Sequence, residues 1–274
     1  MEAININTLG KVKDITKDRM IELTFTPGGQ WNAGIIAALW PWGAVPVGTS
    51  LFGATDTTCV ITSRAGTKVT LKAAAVTKMP SLIFSAVKTL AGSCTILGLS
   101  ADDTAWSATT DPLAAAAALT YTDSTFDPDD IIIQPYVVAW GAVSPWDNIQ
   151  TEDGVQVDFN MVTKPHVIDT YGTIDHTLET LEVTAKMKPR NVTEAQLIAA
   201  MSLSGTGMVR GRSMAALAKV LSMTGTGLSC TLPKAAITEG GMDWGNSTPR
   251  MGELTFKSQM TFATGVAQPL FILA

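Results

Sequence analysis

Charge is what this sequence has least of. Asp, Glu, Lys and Arg make up 16% of its 274 residues, whereas soluble domains commonly carry about 25%. With 46% hydrophobic residues, intrinsic disorder is excluded, because disordered chains combine few apolar residues with high net charge. The same scarcity implies an unusually apolar surface, of the kind that partners cover. Basic residues are the rarer sign, 19 Lys and Arg against 24 Asp and Glu. A formal charge of −5 argues against a protein that grips nucleic acid by neutralising phosphates.

Cysteine, histidine and long apolar runs are also sparse. Cys59, Cys94 and Cys230 are odd in number and far apart, which supports neither a disulfide framework nor a zinc ligand set. They read as buried, reduced thiols. No charged residue falls between Glu22 and Asp56, but Pro41 and Pro46 interrupt the apolar heart of that stretch, residues 33–48. It stays short of the roughly 20 residues a membrane helix requires, so no membrane span is expected. The opening MEAININTLGKVKD has no basic region leading into an apolar one, which predicts no secretory signal and a chain made in a cytoplasm.

What is present is a repeat. In the first half LGKV (residues 9–12) precedes IELTFTP (21–27) and IIAAL (35–39); in the second, YGTI (171–174) precedes LEVTAKMKP (181–189) and LIAAM (197–201). Gly10 meets Gly172, Glu22 meets Glu182, Pro27 meets Pro189 and Ala37-Ala38 meets Ala199-Ala200, offsets of 160 to 162. Further on, GTKVTLKAAAVT (66–77) lies over GLSCTLPKAAIT (227–238), and MPSLIF (79–84) resembles MGELTF (251–256) after an insertion of 11. Matched blocks in one order at a nearly constant offset imply tandem duplication. The expected units are residues 1–130, which carry an acidic connector, and 131–274, each of ordinary domain size.

Each copy reads as a mostly antiparallel β unit with one helix. Ile21, Leu23 and Phe25 alternate with Glu22, Thr24 and Thr26, the period of a half-buried strand, and Leu181, Val183 and Ala185 repeat it. In VTEAQLIAAM, Thr193 and Gln196 form a capping box; a matching helix is expected over residues 30–40. TTCVITS (57–63), the turn at 64–67 and KVTLK make a hairpin. SMAALAKVL (213–221) has helical propensity, but its place in the repeat and the turn Thr224-Gly-Thr-Gly227 favour a second hairpin. In the connector, LAAAAALTY has the composition of a helical turn or two, and IIIQPYVVAW that of an edge strand.

Catalytic chemistry finds little support. A triad would have to draw on His166 or His176 with Asp169 or Asp175, all in one strand-turn-strand region, with no GxSxG elbow; exposed strand histidines are the simpler reading. SGTGMVRGRS (204–213) has glycine spacing but no preceding strand and following helix to make a dinucleotide loop. Asp127, Asp129 and Asp130 lack the spacing of a calcium loop. No enzyme, cofactor or metal is expected. Between Lys88 and Lys164 there is no basic residue, while eleven acidic ones, among them Asp102, Asp103, Asp127, Asp129, Asp130, Asp147, Glu152, Asp153 and Asp158, fall there. Charge of one sign at that density should face water, an ion or a repelled anion. Trp31, Trp40 and Trp42 crowd the uncharged segment and Trp140 and Trp146 flank the connector; such aromatics mark core or a subunit interface.

TEDGVQVDFNM (151–161), YGTIDHTLETLEVTAKMKP (171–189) and WGNSTPRMGELTF (244–256) resemble the tail tube proteins of long-tailed bacteriophages, and the first half resembles a diverged copy of the same unit. The resemblance implies a mainly β fold, two tandem β-sandwich or barrel domains each with a flanking helix. It also implies trimeric or hexameric rings stacked into a hollow tube of the virion tail, assembled with tape measure, hub and terminator proteins. DNA would pass without specific binding, along a lumen lined by Asp102, Asp103, Asp127, Asp129 and Asp130. Trp31, Trp40, Trp42, Trp140 and Trp146 would be subunit or ring contacts. A tail hub or baseplate component, or a virion-borne adhesion module, is the alternative.

Overall fold

The computed structural model describes residues 2–6, 10–15, 20–27, 33–42, 48–51, 57–62, 67–85, 92–98, 117–118, 136–168, 172–200, 217–225, 227–243, 250–260, 262–263, 266–267 and 269–274. The fold is mainly β, with a curled sheet that forms a half-barrel. In the first half the elements are β1 (Glu2–Ile6), β2 (Gly10–Ile15), β3 (Ile21–Phe25), α1 (Ala33–Leu39), β4 (Thr57–Thr62), β5 (Thr67–Lys78), β6 (Leu82–Phe84), β7 (Cys94–Gly98) and β8 (Ala117–Ala118). The second half carries β9 (Val137–Trp140), β10 (Thr151–Ile168), β11 (Gly172–Pro189), α2 (Glu194–Ala200), β12 (Lys219–Gly225), β13 (Leu228–Glu239), β14 (Met242–Asp243), β15 (Arg250–Met251), β16 (Leu254–Ser258), β17 (Phe262–Ala263), β18 (Val266–Ala267) and β19 (Ile272–Leu273).

The sheets repeat the sequence's own repetition. The smaller sheet runs β3-β7-β5-β4, and the larger contains β11-β16-β13-β12 in the corresponding order. Registers correspond as well. Leu23 faces Ile96 as Ala185 faces Phe256, and Ala74 faces Gly98 as Ala235 faces Ser258. The β1–β2 hairpin has the pairing of the β10–β11 tip, Ile6 with Gly10 and Ile168 with Gly172, 162 residues on. Bulges fall at matching positions in three pairs: Ile4/Asn5 and His166/Val167, Thr57/Cys59 and Lys219/Leu221, Val76/Lys78 and Ile237/Glu239. Beside the last of these, Thr77 Oγ1 donates to the Thr95 carbonyl at 3.5 Å and Thr238 Oγ1 to that of Thr255 at 3.3 Å. A bulge re-aims a strand and is a specific feature, so three shared ones carry more weight than similar apolar letters.

The registers also correct two sequence matches. The counterpart of Glu22 is Thr184, since Glu22 faces Leu97 and Thr184 faces Lys257. The counterpart of β16 is β7. MPSLIF contributes β6 instead, which leaves the first half's sheet and pairs with β10, Leu82 to Phe84 against Val157 to Val155. Short apolar strands look alike in sequence whichever sheet they join.

Most other secondary-structure expectations hold where the residues are described. Both hairpins form, with Gly227 at φ 73° in the turn between β12 and β13, a conformation glycine adopts without Cβ strain. The capping box is made: Thr193 Oγ1 accepts from the Gln196 amide at 3.4 Å, and Gln196 Oε1 accepts from the Thr193 amide at 2.8 Å. β9 is the edge strand expected of VVAW. The connector's LAAAAALTY departs from its helical reading where it is described, at β8, whose Ala118 pairs with Thr67.

The halves share one hydrophobic core rather than sealing separate ones. Trp40, after α1, meets Phe159 of β10 edge-on at 6.4 Å, and Phe159 meets Phe271 at 4.7 Å. Residues 48–51 add a further seam: the Leu51 amide donates to the His176 carbonyl at 2.8 Å and the Leu178 amide to the Thr49 carbonyl at 2.9 Å. The expected boundary between residues 130 and 131 lies outside the described residues.

Candidate functional site

Four of the five tryptophans expected at interfaces are core residues. Trp40, Trp42, Trp140 and Trp146 are all buried within the chain, Trp42 completely. Their polar edges are satisfied internally: the indole N–H of Trp40 donates to the Pro80 carbonyl at 2.9 Å, that of Trp42 to Val76 at 3.2 Å and that of Trp140 to Ala235 at 2.7 Å. Trp140 also packs edge-on against Trp146 and Phe256, with the Lys219 ammonium 4.5 Å from its ring. A large apolar ring with its N–H matched to a carbonyl has no reason to leave the core. Trp31 lies outside the described residues, as do Asp102, Asp103, Asp127, Asp129 and Asp130.

The part of the acidic run that is described has partners. Glu152 pairs with Arg190, and Asp153 Oδ2 lies 3.9 Å from Lys188 Nζ, because the long β10–β11 hairpin sets the start of one strand beside the end of the other. Asp158 accepts from the Ser81 hydroxyl at 2.7 Å. Glu152 and Asp153 thus meet basic side chains while remaining exposed to water.

Ser50, Asp175 and His176 do come together, in an order that does not make a triad. The Ser50 hydroxyl donates to Asp175 Oδ2, and Asp175 Oδ1 accepts from the backbone amide of His176 at 2.6 Å. The His176 ring instead meets Thr163 Oγ1 through Nδ1 at 3.3 Å. A general base would have to stand between serine and carboxylate. His166 is exposed as expected, whereas His176 is half-buried. A cavity of 220 Å³, lined by Asp153, Lys186, Lys188 and Glu253 among others, opens where β10, β11 and the approach to β16 meet; it is smaller than usual small-molecule sites.

The thiols are chemically quiet. Burial pushes Cys94 up to about 12, with the neighbouring Cys59 adding to the shift, and burial likewise raises Cys230 and Cys59. A thiol so raised is protonated at neutral pH and is a poor nucleophile. Cys59 is only half-buried, so the expectation of burial holds for Cys94 and Cys230.

What remains open is strand edge. β9 closes its own: the Trp140 amide donates to the Trp146 carbonyl at 2.6 Å and the Ile149 amide to that of Val138 at 2.7 Å, so the returning loop covers it. β6 covers β10 only at Val155–Val157. Among the described residues β10 pairs with β11 alone from Asp158 to Ile168, and Val162 and Val167 there are 50% and 58% exposed. Nor does any described strand cover the far edge of β3, which pairs with β7 alone. Uncovered edges present rows of amides and carbonyls that template pairing with another chain. Sequence reasoning placed an edge strand at VVAW; it did not foresee that the hairpin arm would carry an open edge.

No family model matches the chain, and no curated protein matches it.

Proposed function

We propose that the chain is a structural subunit that assembles with copies of itself into stacked rings, the tail tube of a bacteriophage virion. The observation that carries this reading is a tandem repeat that, among the described residues, leaves two different strand edges open, β3 in the first half and the outer part of β10 in the second. Two unlike edges on one chain favour head-to-tail contacts, which close into rings when the rotation allows and otherwise run on as filaments. Three chains with two repeats each would present six related units around a ring. The low charge content fits a surface committed largely to contacts with other subunits. Its acidic excess suits a conduit, because a lumen lined by Asp102, Asp103, Asp127, Asp129 and Asp130 would repel phosphate and let DNA slide. The resemblance to tail tube proteins in residues 151–161, 171–189 and 244–256 points the same way.

The test is negative-stain microscopy with mass photometry on the purified chain across a range of concentration. Rings or tubes with a central hole, built from three or six chains, are expected. A monodisperse monomer at every concentration, even with a tail initiator complex added, would overturn the reading and favour an adhesion module or a hub component.

A further inference from the structure

We propose that the outer edge of β3 pairs antiparallel with the outer edge of β10 in a second copy of this chain, with Glu22 set opposite Lys164. The inference rests on the self-assembly reading and names the seam that would carry it.

In the second half, Val183, Ala185 and Met187 of β11 are buried, and β10 lies beside them, Phe159 facing Val183, Val157 facing Ala185 and Val155 facing Met187. Their counterparts 162 residues earlier are Ile21, Leu23 and Phe25. These three are only half-buried, and no described strand occupies the place that β10 takes beside β11. The same strand in the same sheet position is thus finished in one repeat and unfinished in the other. What finishes it in the second repeat is the alternating strand β10, so the missing neighbour should have β10's character.

β10 is such a strand, and among the described residues no strand is hydrogen-bonded to its outer edge beyond Val157. Beyond β6, β10 alternates with half-buried Met161 and Thr163 on one face and exposed Val162 and Lys164 on the other. Setting Leu23 opposite Thr163 brings Phe25 to Met161 on the inward face and Thr24 to Val162 on the outward face. It also brings Glu22 to Lys164. Glu22 is the one charged residue of β3, and Lys164 the one basic residue of the Lys or Arg type between residues 158 and 168. Among the described residues neither takes part in an ion pair. A slip by one residue would turn apolar side chains outward, and a slip by two would separate the charges, so this register alone satisfies both faces. Because the donor and acceptor edges differ, each chain gives one and receives one.

The test uses the full chain carrying Thr24→Cys with Val162→Cys. Opposed residues on antiparallel strands lie about 4.5–5.5 Å apart at Cα, within disulfide reach. Mild oxidation of assembled protein should give a covalent ladder on non-reducing gels, absent from either single variant and from the parent with its own three thiols. In parallel, Glu22→Lys and Lys164→Glu should each raise the concentration for half-assembly about five-fold, since like charges facing across strands repel, and the double reversal should restore it. Rings of the parent with no ladder from the double-cysteine variant, or a double reversal that fails to restore assembly, would overturn the seam and leave the self-assembly reading standing. A parent chain that stays monomeric, with no ladder from the double-cysteine variant, would overturn both.

Discussion

The two halves of this chain share a plan and differ in how completely it is carried out. Sheet order, registers and three bulges agree between them. Yet β11 is flanked by β10 on one side and β16 on the other, whereas among the described residues β3 has β7 alone. The second half also receives strand from the first, through β6 on β10 and residues 48–51 on β11. The difference teaches that a repeat can keep its topology while one copy becomes the platform on which the other packs. Contacts that join the halves are therefore as informative as those within each.

The strongest way to break the comparison is through the tryptophans. Trp140 lies within the second half's sheet, while Trp42 bonds to Val76 in the first. Replacing either with Ala removes a fully buried ring and leaves a cavity, a loss of about 3–5 kcal/mol. Because one core runs through both halves, urea unfolding of either variant should remain a single transition shifted to lower denaturant. Two separated transitions in Trp42→Ala, with the second half unfolding at the parent midpoint, would mean that the halves are energetically independent.

A finer cut separates the seam between halves from a turn within one. Gly154 has φ 89°, and a Cβ there would stand 2.3 Å from the Phe84 carbonyl oxygen of β6. Gly227 has φ 73° with open space around it. Gly154→Ala combines backbone strain with a clash against backbone and should cost more than about 2 kcal/mol. Gly227→Ala carries only the left-handed strain, about 1 kcal/mol. Urea midpoints compare the two directly; equal losses would mean that β6 yields readily and is a weak link between the halves.

How much of this was legible beforehand depended on whether a residue's partner was near in sequence. The Thr193–Gln196 box, the glycine turn before Leu228 and the alternation of β3 are local signals, and each formed as read. The repeat was legible because it compares the chain with itself, and it overruled the helical propensity of SMAALAKVL where β12 begins at Lys219. Partner choice was not legible. Nothing in Leu82–Phe84 distinguishes a strand that closes its own sheet from one that crosses to β10. Trp40 reads equally as interface or core until its N–H is seen to meet Pro80, and Glu152 reads as unpaired charge until the hairpin brings Arg190 beside it. The open edge at β10 depends on where β6 stops, which is a property of three dimensions.

The smallest expected effect sharpens the comparison at the two helices. α2 opens with its capping box and with Glu194 in the first turn, while α1 has no acidic residue there. A cap oxygen satisfies an amide that the helix leaves without a partner, so Thr193→Ala should cost about 1 kcal/mol. Hydrogen exchange reads this locally. The α2 amides should exchange more slowly than those of α1 in the parent, and Thr193→Ala should speed the α2 amides toward the α1 rate. If α2 exchange does not change, its stability comes from burying Leu197 rather than from its cap, and the two helices differ in packing alone.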